Sequence, residues 1–390
     1  MSTAIYLDHN ATTPLRPEAV AAINDGMRIG GNPSSVHAEG RRARRVIEDA
    51  RESVASLVGA EPAQVVFTSG GSEANTLALR GCGRRRVLVS AIEHASVGRS
   101  VDGAETIPVD ADGIVRVDAL DALLRASDEP AVVSVMLANN ETGVVQPISE
   151  VAAVCRRHSA ILHCDAVQAA GKMAIDVRDL GVHLLSLSAH KMGGPAGCGA
   201  LVVEAAVPLQ ALQRGGGQER GRRAGTENIL GISGFGAAAD RVRGLPDAGR
   251  LALLRDRLER RLQVLCPSMQ VFGATAPRLA NTSCIAMPGV AAETQVIAFD
   301  LAGIAVSAGA ACSSGKVTRS GVLTAMGVGD DLASTAIRVS LGWTNCEADV
   351  ERFIEVWTSV YSRAAGCGPA FSEGRDTAVE VRSGVGKVTE

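Results

Sequence analysis

Five apolar runs of strand length in this chain stop at residues that can bind or move charge. "VVFTSGGSEANTLAL" passes from a β-branched run through Gly70 and Gly71 into a helix starting near Ser72. "VLVSAIEH" ends at His94, "AVVSVMLANNETG" at Asn139 and Asn140, and "AILHCDAVQ" at Asp165 and Gln168. "VHLLSLSAHKMGG" ends at Ser188, His190 and Lys191. Each has an ordinary reading taken alone, because strands end in loops, loops face water, and a lysine after a strand is commonly a solvated charge. Their coincidence is the informative feature. A thiol stands apart from them: in "SAGAACSSGK", Cys312 has only alanines, serines and glycines around it and no bulky neighbour to pack against.

Stretches of helical periodicity alternate with these runs, which is the sequence form of an α/β fold with a largely parallel sheet. Such sheets bind ligands outside the carboxyl ends of their strands, so the five run ends can converge on one crevice. The converged set has a recognisable chemistry. A helix start behind two glycines offers N–H donors and a positive dipole end to a phosphate. Asp165 offers a carboxylate to a pyridinium nitrogen, and Lys191 an amine to an aldehyde. His94 can stack on a ring and carry protons near neutral pH. These are the demands of pyridoxal phosphate (PLP).

Composition sets the frame. The chain has 390 residues, 46% of them apolar, enough for two or more domains with a large core. A formal charge of -3 and 3% aromatics give no footprint for nucleic acid. No basic leader followed by an apolar stretch and no membrane-length run is present in the sequence, so no membrane association and a cytoplasmic location are expected. Nine cysteines, odd in number and never spaced Cys-x-x-Cys, fit neither a disulfide framework nor a zinc site, and no resident metal is expected. In a reducing compartment most of them act as small buried hydrophobes.

The chain closely resembles cysteine desulfurases of the NifS/IscS type, within the fold type I PLP enzymes. The resemblance runs from "YLDHNATTP" at Tyr6 to "IRVSLG" ending at Gly342 and the helix beyond. It is carried by "GNPSSVH", "VVFTSGGSEANTLAL", "NNETGVVQP", "HCDAVQAAGK", "SAHKMGGP", "GGGQERGRRAGTEN", "GAACSSG" and "IRVSLG" in order and at family spacing. It implies that Lys191 holds PLP, that Asp165 pairs with the pyridinium nitrogen, that Gln168 contacts the ring oxygen and that His94 lies over the ring. Gly71, Ser72, Ser188 and His190 would hold the phosphate, and Asn140 would line the site. Arg338 would bind the substrate carboxylate, with Asn32 and Asn140 also on the substrate side. Thr226 would reach the phosphate of the other subunit, which implies a homodimer.

The same resemblance makes Cys312 the nucleophile that takes sulfur from L-cysteine, leaving alanine, and carries it to an iron-sulfur scaffold or other acceptor protein; Cys312 could also ligate a cluster transiently. A free thiol with a pKa of ~8.5 is mostly protonated at neutral pH. It needs a proton acceptor, for which His94 and the substrate's own amine are candidates.

The implied architecture is a large domain over 17–258 with a mostly parallel seven-stranded sheet. A smaller α/β domain would combine 1–16 with 259–365, followed by a flexible tail over 366–390. The pattern departs from its relatives at Ala196 in "GGPAGCGAL", where they usually carry lysine, and after the nucleophile at Arg319 and Gly321, which bear on loop rigidity and acceptor docking. "GRRARRVIEDARES" reads as a solvated helix face, and "GGGQERGRRAGTEN" as an ordered loop at the dimer interface. Rival readings are a selenocysteine lyase, another class V aminotransferase relative, or an idle scaffold for acceptor proteins.

Overall fold

The structure is a computed structural model describing residues 4–309 and 319–364; Cys312 lies outside the described residues. Seven strands form the large sheet. They are β1 (Val65–Thr68), β2 (Arg86–Ser90), β3 (Glu105–Ile107), β4 (Ala131–Ser134), β5 (Ile161–Asp165), β6 (Leu184–Ser188) and β7 (Gly199–Val203). Their spatial order is β1-β7-β6-β5-β4-β2-β3. β7 runs antiparallel to both of its neighbours, and every other pairing is parallel.

Helices cover both faces, so the central strands read as unbroken apolar runs rather than alternating ones. Leu88, Val133, Leu162 and Leu185 face one core, shared with the helices Ala38–Leu57 and Ile229–Val242. Val66, Val87, Val132 and Leu184 face the other, against the helix Gly71–Gly81. The two-residue period of β5 therefore turns Asp165 toward that second helix. On the same face the buried His163 ring meets the hydroxyls of Ser134 at 2.8 Å and Ser186 at 2.9 Å, and burial pushes its pKa down to about 3. It is a neutral cross-strand tie.

A second sheet is antiparallel, in the order Ser307–Ala308, Ala336–Ser340, Thr282–Ala286, Gln270–Val271. Ile5–Tyr6 joins this end of the molecule by pairing in parallel with Ile304–Ala305. The helix Ala248–Leu265 buries Leu251, Leu254, Leu258 and Leu262, and all four belong to the second core with Phe299, Phe353 and Trp357. Each such leucine contributes about 1.5–3 kcal/mol. A division at Leu258 would cut this helix midway; its packing puts the change of domain before Ala248.

The seven described cysteines are free, and all but Cys346 are buried. Burial pushes Cys155 and Cys198 up to about 12, which makes them inert packing residues. Among the described residues no helix is long and apolar enough to cross a membrane.

Candidate active site

The strand ends converge on a cavity of about 320 Å³ between the two sheets. Gly71 and Ser72 enter it from the helix that follows β1, and His94 from the turn after β2. Asn140 follows β4, Asp165 and Gln168 end β5, and Ser188, His190 and Lys191 end β6. Arg338 reaches it from the second sheet. Neither Asn32 nor Thr226 lines the cavity of its own chain; both are exposed.

Asp165 is buried; its Oδ1 accepts the Val167 N–H at 2.9 Å and its Oδ2 the Asn75 amide at 2.8 Å. Desolvation pushes the carboxyl up from its ordinary value, against the pull of those hydrogen bonds and of His94 and Lys191. A cation placed against it would restore the carboxylate. Beside it Glu93, raised to about 8 by burial and by the charge of Asp165, is protonated at neutral pH, with Ser90 and the Met136 N–H both on its Oε1.

The backbone N–H of Ser96 donates to His94 Nδ1 at 3.1 Å, which leaves the ring proton on Nε2. Burial first, then the charge of Lys191, lowers the pKa of the ring, so His94 is neutral at pH 7. In this arrangement Nε2 is the donor of the ring.

Lys191 Nζ donates to the carbonyls of Asn10 at 2.6 Å and Ala11 at 2.8 Å. The rival amine, Lys172, is half-buried, and its pKa lies well below the ordinary value because desolvation penalises its charge. It does not line the cavity, however, and donates to Asn10 Oδ1 at 2.7 Å and Gln168 Oε1 at 2.9 Å. That second contact orients the Gln168 amide, whose Nε2 gives one hydrogen to the Asn10 carbonyl and keeps another. Asn10, which the sequence reading passed over, joins the N-terminal segment to both domains through Asn140, Thr282 and Asn281. Asn75, Asp8 and Glu93 were passed over as well. Their only local signal was their place inside the quoted stretches.

The start of Gly71–Gly81 has no side-chain cap, so its first N–H groups are available to an anion. Gly70 precedes it at φ 155°, a backbone setting open to glycine. A side chain at Gly71 would stand 2.8 Å from Val167 Cγ2, filling the cradle. The arrangement asks for an anion at the helix start, a cation at Asp165 and a carbonyl at Lys191. PLP carries all three on one ring, so these residues fit it.

Arg338 is 4% exposed. Its Nη2 pairs with Asp8 Oδ1 at 2.7 Å, its Nη1 donates to the Asn140 carbonyl at 3.0 Å, and its Nε is buried without a partner. An unpaired buried donor is costly, and a substrate carboxylate is the partner that would relieve it. Arg338→Lys should keep the pairing with Asp8 and the visible cofactor absorbance. It should raise the KM for a carboxylate-bearing substrate roughly ten- to hundredfold, the worth of a charge-assisted hydrogen bond. An unchanged KM would make Arg338 a structural ion pair.

The loop over 215–228 is anchored from below. Glu219 and Arg220 hold φ values of 47° and 57°, left-handed settings that cost side-chain-bearing residues about 1–3 kcal/mol each. The Glu219 carboxylate offsets this by accepting both Arg51 Nη atoms at 2.8 and 2.9 Å and the Phe67 N–H at 2.9 Å. Arg223 adds an ion pair to Glu73 in the first turn of the helix Gly71–Gly81. One charge of the Ala38–Leu57 helix, Arg51, is thus buried rather than solvated.

The family model for aminotransferase class V matches residues 5–353. A relative named cysteine desulfurase from Cereibacter sphaeroides is 44% identical over 95% of this chain and 98% of its own length. An IscS-like cysteine desulfurase from Mycobacterium tuberculosis is 40% identical over 92% of this chain and 96% of its own. Among solved structures, a NifS-like protein from Rickettsia africae superposes with a TM-score of 0.86 at 36% identity, covering 92% of this chain and 99% of that one. With the family matched over nearly all of the described chain and the PLP-fitting residues gathered in one cavity, the chain belongs to the aminotransferase class V family, alongside relatives named cysteine desulfurase.

Proposed function

We propose that the protein is a PLP-dependent cysteine desulfurase that converts L-cysteine to L-alanine and supplies the sulfur to an acceptor protein. The observation that carries this reading is the pairing of a PLP-fitting site with a carboxylate-seeking Arg338 on the opposite wall of one cavity. The relatives' names agree with it.

In this reading Lys191 would hold the cofactor through its Nζ, and the same amine would serve as the base for the substrate's α-proton. PLP, when bound, supplies an electron-withdrawing ring that makes that proton removable. Asp165 would keep the ring nitrogen protonated, Gln168 would offer its second Nε2 hydrogen to the ring oxygen, and His94 would cover the ring. Arg338 holds the substrate carboxylate. The Cys312 thiolate attacks the substrate sulfur: the carbon–sulfur bond breaks and a sulfur–sulfur bond forms. The two sulfurs give up two electrons to the β-carbon, which gains a proton and becomes the methyl of alanine. With His94 Nε2 already protonated, we assign the substrate's amine as acceptor of the thiol proton.

Purified protein loaded with PLP should release alanine from L-cysteine in step with sulfide when a reductant is present. Release from selenocysteine alone would make it a selenocysteine lyase, and amino transfer to a keto acid would make it an aminotransferase. Failure of all three with cofactor bound would leave a scaffold.

The working unit in this reading is a homodimer. Thr226, exposed on an anchored loop and off its own chain's cavity, would give its hydroxyl to the partner's phosphate, and Asn32 would stand at the same boundary. Sedimentation should give a dimer, and Thr226→Ala should weaken PLP retention roughly tenfold, the worth of one charge-assisted hydrogen bond. A monomer with full cofactor occupancy and activity would refute the shared site. Free cysteines throughout the described residues suit a reducing, cytoplasmic compartment.

A further inference from the structure

Glu141 is a buried acid outside the machinery described above. It lies in the turn after β4, whose backbone is held by the Asn139 side chain. Asn139 Oδ1 accepts the N–H groups of Glu141 and Thr142, both at 2.9 Å. Glu141 is 6% exposed. Desolvation raises its pKa, while a hydrogen bond from Ser320 and the charge of Arg338 pull it down.

The contacts of this carboxylate are with residues far along the chain. Ser320 Oγ lies 2.6 Å from Glu141 Oε2. The same hydroxyl accepts the Leu323 N–H at 3.0 Å, so its single proton is directed at Glu141. Gly309 packs against the same oxygen: a Cβ there would stand 2.9 Å from Glu141 Oε2 and 3.4 Å from Ser320 Cβ. Gly309 continues the strand Ser307–Ala308, in which Ser307 is paired in register with Arg338. Positions 309 and 320 bracket the stretch that contains Cys312. One oxygen therefore meets the chain just before and just after that stretch, next to the guanidinium assigned to the substrate carboxylate.

We propose that Glu141 is a positioning residue for sulfur transfer: it seats Gly309 and Ser320 together and so sets where the Cys312 segment leaves and rejoins the fold relative to Arg338. This rests on the reading of Cys312 as the sulfur acceptor. The physical requirement is strict, since displacing a reacting group by about 1 Å through a remote change can cost about a hundredfold in rate. A carboxylate held by its own rigid turn can serve as that reference. The contact needs an oxygen acceptor and a small neighbour at position 309; it does not need the charge.

The test uses the full-length, PLP-loaded protein with Glu141→Ala, Gly309→Ala and Glu141→Gln. Glutamine keeps an oxygen for Ser320, alanine at 141 removes the seat, and a methyl at 309 pushes the two ends apart. Two quantities are measured. One is iodoacetamide labelling of Cys312 without substrate, read on its peptide by mass spectrometry. The other is the single-turnover rate of persulfide formation after cysteine is added, alongside the cysteine-induced change in cofactor absorbance.

In Glu141→Ala and Gly309→Ala, persulfide formation should slow about tenfold or more while the Kd for cysteine from the absorbance change moves by less than about threefold. Labelling should change by about threefold or more in the same two variants, and Glu141→Gln should resemble wild type in every readout. If Glu141→Ala does not fold, Gly309→Ala and Glu141→Gln carry the comparison. Wild-type labelling and transfer in the first two variants would overturn the proposal, and so would a Glu141→Gln as slow as Glu141→Ala, which would assign the effect to charge on Arg338. If wild-type protein forms no persulfide at Cys312, the functional reading fails, and labelling still decides the role of Glu141.

Discussion

Cys312→Ser protein should bind PLP and still change its visible spectrum when L-cysteine is added, yet gain no sulfur at position 312 and release no alanine by that route. Serine keeps the size of the side chain but lacks the polarisable sulfur that can accept a sulfur atom. Among the described residues every cysteine but Cys346 is buried, and Cys346 does not line the cavity. Cys155 and Cys198 are buried with thiols pushed up to about 12, and Cys164 and Cys284 are buried likewise. Wild-type protein treated with cysteine should add one sulfur to the Cys312 peptide, seen by intact-mass and peptide analysis. Selenocysteine is the informative control, because its weaker carbon–selenium bond can release selenium without the thiol. Desulfuration of cysteine at the wild-type rate in the variant would make Cys312 a packing residue.

Lys191→Ala should abolish the covalent link to PLP and cut alanine release by at least the ~10²–10⁴-fold that a lost general base is worth. Borohydride treatment of wild-type protein should fix the cofactor on the Lys191 peptide, and the variant should retain none after the same treatment and dialysis. Lys172 is the serious competitor on chemical grounds, since desolvation keeps its amine well below the ordinary lysine range. Its Nζ is turned into Asn10 and Gln168 and it does not line the cavity. Cofactor trapped on the Lys172 peptide would overturn the assignment of Lys191. Lys172→Met should instead loosen the orientation of Gln168 while leaving the covalent link in place.

What the sequence alone determined lies in short-range pattern. A parallel sheet brings every strand's carboxyl end to one side, so five run ends were enough to place Gly71, His94, Asn140, Asp165 and Lys191 at one crevice before any coordinates. The turn at Gly70 and Gly71 was equally legible, because backbone at φ 155° and a cradle closed by Val167 leave little choice but glycine.

Tertiary structure decided what depends on partners distant in sequence. Asn10 meets Lys172 across 162 residues, and no periodicity records that contact. Arg51 reads as one more charge on a solvated helix face until Glu219 is brought under it. The helix Ala248–Leu265 shows the same leucine spacing whichever core it joins, and only the packing of Leu254 and Leu258 against the second sheet's cluster assigned it. Which of two lysines lines the cavity follows by the same means. A side chain's residue type states what it can bind, but its direction and its neighbours follow from the folded topology, and these separate Lys191 from Lys172 and set Glu141 against Gly309 and Ser320.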